Sequence, residues 1–137
     1  MTDLNGSSAN QSLLNNYKLT MINVWATYCN PCITEIPEIS SVYSQVKSKG
    51  VNIIGVAKDG PGNTAAIQKI VDDTGASYKM YIPSASMLNS SFMSKVTFVP
   101  TTFFADGDGN LVGEPVSGTR TASAWQKIIN ERLAMVE

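Results

Sequence analysis

The sequence predicts an α/β domain, and three observations carry the prediction. Two apolar runs rich in strand formers, 19–25 and 51–57, are separated by a segment with helical periodicity. Strand, helix and strand in this order imply a right-handed parallel crossover, with ligands bound outside the carboxyl ends of the strands. Cys29 and Cys32, the chain's only cysteines, fall at such an end, where the first strand hands over to the helix.

The elements follow in order. Residues 1–17 read as a polar turn or hairpin extension of the same domain, with Asn5-Gly6 as the turn and Leu13-Leu14 as a local anchor. Strand 18–26 is apolar, as expected of a strand buried on both faces. In helix 30–49, Ile33, Ile36, Ile39, Val42, Tyr43 and Val46 form a stripe close to the helical period. Pro31 suits its first turn, where a missing N–H is not needed. Lys47, Lys49 and Gly50 supply a basic last turn and a stop. Pro37, inside the helix, removes one backbone bond and predicts a kink near Ile36.

After strand 51–57 and a loop over 58–62, Asn63 or Thr64 caps a helix that ends at Gly75, with Ala66, Ile67, Ile70 and Val71 facing inward. An extended piece over 78–82 closes at Pro83, and Ser84 caps a brief helix carrying Met87, Leu88, Phe92 and Met93. The apolar strand over 96–105 is broken by Pro100, which requires an edge, a strand start or a special bond there. Residues 106–110 alternate Asp, Asp and Asn as a calcium loop does, but that loop would need glycine at Leu111 and a bidentate glutamate at Ser117. A Gly-rich hairpin turn leading into a strand at Leu111-Val112 is the better reading. A last helix, from Thr121 to Val136, packs through Trp125, Ile128, Ile129 and Leu133.

The chemistry follows from position. With Cys29 at or just before a helix N-terminus and Cys32 three residues on, both sulfurs share one side of the first turn, which is disulfide geometry. Unpaired N–H groups and the helix dipole stabilise a thiolate at Cys29, pulling its pKa below the free value of about 8.5. Cys29 is therefore assigned as the attacking nucleophile, an assignment that requires it to be the more exposed of the two. Cys32 is the resolving thiol that closes the disulfide and releases the substrate sulfur.

The stretch Val24-Trp-Ala-Thr-Tyr-Cys-Asn-Pro-Cys32 resembles the active site of the thioredoxin superfamily. Asn23, Glu35 and Pro37 resemble one branch, the bacterial TlpA- and ResA-type thiol-disulfide oxidoreductases, which carry Asn where cytosolic thioredoxins have a buried Asp and Glu-x-Pro after the second cysteine. The likeness runs over nearly the whole chain. It implies a thioredoxin-like fold, a central mixed β-sheet flanked by helices on both faces, with 18–137 as the thioredoxin-like domain. It also makes Val99-Pro100-Thr101 the superfamily's cis-proline element, opposite the cysteines. There Val99 would pair with an extended substrate segment, and Pro100, lacking an N–H, would keep a donor away from the sulfurs. Two departures, Tyr28 in place of Trp and Asn30-Pro31 in place of Gly-Pro, prevent a redox potential from being carried over.

The resemblance further implies protein substrates with disulfides or thiols, a membrane or extracytoplasmic electron donor, and no cofactor beyond the Cys29–Cys32 disulfide. Reduction of exported apoproteins, as in cytochrome c maturation, is the direction it favours. Members of that branch begin with a signal or lipoprotein anchor. The full-length protein is thus expected to be extracytoplasmic and membrane-anchored, with the chain from Met1 its soluble part.

Composition narrows the alternatives. With 137 residues, 43% of them hydrophobic, the chain is long enough for one domain with a core that needs no staples. A formal charge of −1 argues against nucleic acid or an anionic membrane surface as partner. Two cysteines two residues apart are also half a zinc knuckle, but the chain has no His and no other Cys to complete it. A purely structural disulfide would close too short a loop to constrain the unfolded chain much. The Thr-x-x-Cys pattern of peroxidases is absent.

Glu35, Trp25 and Tyr28 carry two readings each. Glu35 is either one of the acidic residues favoured early in any helix or a desolvated carboxylate that trades a proton with Cys32. Trp25, Tyr28 and the neighbouring Pro31 are candidates for the substrate-docking surface, while aromatics at a strand end also serve as core filling.

Overall fold

A computed structural model describes residues 1–137. Six strands form one mixed sheet in the order β1-β4-β3-β2-β5-β6. These are β1 (Thr2–Asp3), β2 (Leu19–Trp25), β3 (Val51–Ala57), β4 (Lys79–Ile82), β5 (Thr101–Asp106) and β6 (Val116–Ser117). β2 lies inside the sheet, parallel to β3 and antiparallel to β5, and every residue of it is buried.

Because side chains alternate across a strand, β2 feeds two separate cores. Leu19, Met21 and Trp25 pack with α1 (Asn30–Val46), α2 (Thr64–Thr74) and α5 (Ala122–Val136) through Ile36, Ile39, Ile67, Trp125 and Ile129. Ile22 and Val24 point to the other face, among Ile54, Val56, Phe103 and Ala105. That face is covered thinly, by a 3-10 helix (Gln11–Asn16) bearing Leu14 and by two single-turn helices, α3 (Ala85–Leu88) and α4 (Ser91–Ser94). The sheet is flanked on both faces, with all the long helices on one of them.

Ile39 sits at the centre of the thicker core with no solvent exposure. Ile39→Ala should lower stability by about 2–5 kcal/mol through lost burial and the cavity left behind. Urea unfolding measures this directly.

Several expectations are modified by local chemistry. The first seventeen residues contain a hairpin bridge between Thr2 and Ser8 and, after it, a 3-10 helix over Gln11–Asn16 that was not legible as such. The helix expected over 30–49 divides into α1, which carries Pro37 on its exposed side and ends at Val46, and a 3-10 turn over 47–49 stopped by Gly50 at φ 83°. In α2 only Ile67 is buried; Ile70 and Val71 are half-buried, and Ala66 faces solvent. The single helix expected after Ser84 is two, because Ser90 caps a second turn by accepting from Met93 N at 3.3 Å, as Ser84 does from Met87 N at 3.2 Å.

The strand expected over 96–105 begins only after Pro100, at Thr101. The hairpin turn is built on the Asp106 carboxylate, which accepts from Asp108 N and Asn110 N, both at 2.9 Å. Leu111 then makes a single bridge to Ala105, and the paired strand resumes at Val116.

Candidate active site

The carboxyl end of β2 delivers the chain into a short turn, closed by Cys29 N–H on the Ala26 carbonyl at 3.1 Å. Asp59, from the loop after β3, fixes this turn. One carboxylate oxygen accepts from Thr27 N at 3.0 Å and the other from the Thr27 hydroxyl. The same loop sends Lys58 Nζ to the Val96 carbonyl at 3.0 Å, tying it to the segment that leads into Pro100.

Cys29 is the N-cap of α1, and its Sγ accepts from Cys32 N at 3.3 Å. The two cysteines are bonded to each other, with Cα atoms 5.3 Å apart. Cys29 retains 8% exposure and Cys32 1%, so an incoming sulfur meets Cys29 first. The Val99 carbonyl oxygen lies 3.9 Å from Cys29 Sγ, and the Val99–Pro100 bond is cis. Val99 and Pro100 thus stand opposite the cysteines.

Glu35, one turn beyond Cys32, is 3% exposed and held by three elements. Its Oε2 accepts from Arg120 N at 2.8 Å and from Trp125 Nε1 at 3.0 Å. Its Oε1 accepts from Asn23 Nδ2 at the longer distance of 3.5 Å. Burial pushes the carboxyl pKa up, and the hydrogen bonds and the Arg120 charge counter this only in part. A polar groove of about 520 Å³, bordered by Asn30, Thr34, Glu38 and residues 119–121, opens beside this carboxyl.

Of the proposed docking side chains, Tyr28 is 72% exposed next to Cys29, and Pro31 is exposed in the first turn. Trp25 is not a docking residue: it has no exposure and belongs to the core, because its strand position turns the indole toward the helical face. Phe98 was missed by the sequence reading. It is 53% exposed beside Val99, and only its position next to the Val99-Pro100 element pointed to it. The partners Trp125, Arg120 and Asp59 were missed as well, since each reaches the site from a distant stretch of chain.

The chain matches the model of the AhpC/TSA family over residues 1–113. It is a ResA-like member of that family. A thiol-disulfide oxidoreductase ResA from Halalkalibacterium halodurans is 33% identical over the whole of this chain and 72% of its own length. The ResA of Oceanobacillus iheyensis is 31% identical over 83% of this chain but only 57% of its own length, so the chain spans little more than half of that relative. Among solved structures, a thioredoxin-family thiol:disulfide interchange protein from Chlorobium tepidum superposes with a TM-score of 0.82 at 21% identity, covering 97% of this chain and 91% of its own. That likeness concerns the fold.

In this ResA-like chain Asn23 reaches Glu35, Cys29 and Cys32 are bonded to each other, and Val99 lies against Cys29, whereas Pro37 faces solvent. No helix is long and apolar enough to cross a membrane.

Proposed function

We propose that this ResA-like chain is a thiol-disulfide oxidoreductase that reduces disulfides in exported proteins. The observation that supports it most is the placement of Cys29 Sγ, partly exposed and accepting an N–H at the start of α1. Such a donor favours the thiolate, the form that attacks.

In the reduced protein, Cys29 thiolate attacks a substrate disulfide, forming a mixed disulfide and releasing one substrate thiolate. Cys32 then gives its proton to Glu35 and attacks Cys29 Sγ. The mixed bond breaks, the second substrate sulfur leaves, and the Cys29–Cys32 disulfide remains. The substrate gains two electrons, and a dithiol donor of the extracytoplasmic side or the membrane must restore them. Glu35 suits the proton step because its raised pKa makes it a better base than an ordinary carboxylate. No cofactor other than the cysteine pair enters these steps.

Equilibration in thiol buffers, followed by tryptophan fluorescence and alkylation, tests the reading. A two-electron transition near the thioredoxin value of about −270 mV supports a reductant, whereas one near about −120 mV reverses the direction of electron flow. Absence of any reversible transition removes the enzyme reading.

The exposed Tyr28 and Phe98 flank the Cys29–Val99 contact and offer apolar area to a docked segment. Double replacement by serine should raise KM for a protein disulfide about ten-fold while leaving kcat unchanged, as expected where binding energy is used equally in ground and transition states. Steady-state kinetics separate the two parameters.

A further inference from the structure

We infer that Glu35 carries its exchangeable proton on Oε1, and that Asn23 and Thr102 are positioning residues whose hydrogen bonds reverse as that proton comes and goes. The inference rests on the reading of Glu35 as proton partner of Cys32 and adds the atoms involved. The two carboxyl oxygens are not equivalent. Oε2 faces two groups that can only donate, a backbone N–H of Arg120 at 2.8 Å and the indole N–H of Trp125 at 3.0 Å. A proton placed on Oε2 would point at these hydrogens. Oε1 has only the 3.5 Å contact with Asn23 Nδ2, beyond ordinary hydrogen-bond length, and is the oxygen with room for a proton.

A protonated Oε1 needs an acceptor, and Asn23 can supply one. Its side chain is a donor through Nδ2 and an acceptor through Oδ1, and a half-turn about the terminal bond exchanges them. With Nδ2 forward it donates to Thr102 Oγ1 at 3.0 Å and weakly to the charged carboxylate. With Oδ1 forward it accepts from Glu35 Oε1–H and from the Thr102 hydroxyl. Thr102 fits both orientations because a hydroxyl donates or accepts by rotation. Asn23 and Thr102 are register partners on β2 and β5, so the backbone fixes their spacing. Both are buried, at 2% and 0% exposure, so the orientation is set by these side chains.

The proton balance is simple. The Cys32 S–H bond breaks as Oε1–H forms, and the proton later returns to solvent. The other titratable or charged groups around Glu35 are Cys29, Cys32 and Glu38 on α1, Tyr78 ahead of β4, and Arg120 ahead of α5. Burial and the Glu35 charge push the Tyr78 hydroxyl up, keeping it neutral. The Arg120 guanidinium is turned to the Ser117 and Thr119 carbonyls, at 3.2 and 2.9 Å, and leaves Oε1 free.

Infrared difference spectra, with Glu35→Gln as blank, test this on the intact protein without reference to thiol exchange. In the acid form the carbonyl oxygen is then Oε2, which receives both N–H bonds. Trp125→Phe removes one of them, so the carbonyl stretch should move to higher frequency and the Glu35 titration upward by about one pH unit. An unmoved stretch in a folded Trp125→Phe protein overturns the assignment of the proton to Oε1. A second readout uses the wild type: the Asn23 side-chain amide NMR signals should titrate together with Glu35, and amide signals that ignore that titration overturn the reversal. Either result stands even for a protein without reductase activity, which the redox titration judges separately.

Discussion

Cys32→Ser is expected to stop turnover and leave substrates covalently attached through Cys29. The first step survives the substitution, because Cys29 Sγ accepts from the backbone N–H of residue 32, a group that serine retains. Cys29 is also the sulfur with access to solvent, at 8% exposure against 1% for Cys32. The second step is lost, since a serine hydroxyl cannot form a disulfide and ionises far above a thiol. Exchange should therefore fall to background while a mixed disulfide accumulates, visible as a mass adduct that a reductant removes. Cys29→Ser should give neither turnover nor adduct. Adducts with Cys29→Ser and none with Cys32→Ser would reverse the two roles, and adducts with neither would remove the nucleophile assignment altogether.

The cysteine end of the site was legible because its geometry is local. A strand, a turn and a helix with Pro31 in its first turn place Cys29 at the N-cap, and three-residue spacing brings Cys32 beside it. The sheet could be outlined for a similar reason: 19–25 and 51–57 are largely apolar, as strands covered on both faces are, and every residue of both is buried. Function in the other half of the site depends on long-range contacts. Trp125 reads as core filling from its helical period, and nothing in that period shows that its Nε1 reaches Glu35 from ninety residues away. Trp25 fails in the opposite direction, since proximity to Cys29 in sequence does not reveal that its side chain turns inward. The short elements were hidden by weak periodicity: a 3-10 helix over Gln11–Asn16 and single turns capped by Ser84 and Ser90 carry too few residues to show a repeat.

Glu35→Gln should slow resolution by Cys32 while making the folded protein more stable at neutral pH. Glutamine matches the shape of the protonated acid. Its carbonyl oxygen can take the place of Oε2 and accept from Arg120 N and Trp125 Nε1, and its NH₂ can take the place of Oε1 and donate to Asn23 Oδ1. What it lacks is a site for a proton, so the step that depends on one should slow by about 10²–10⁴-fold, with the attack by Cys29 left nearly intact. Single-turnover traces resolve the two phases. The stability effect follows from linkage: burial raises the folded pKa of Glu35 above its ordinary 4.5, so between the two values the folded protein holds a proton that the unfolded chain has released. Wild-type stability from this group is complete below the unfolded pKa and is lost as pH rises through the folded one. The glutamine variant has no such loss, and its advantage in urea midpoint should grow from about pH 4.5 upward and level off once the buried carboxyl is ionised. A gap between the two proteins that stays constant with pH would show that Glu35 has no raised pKa, and would leave Cys32 without its proton acceptor.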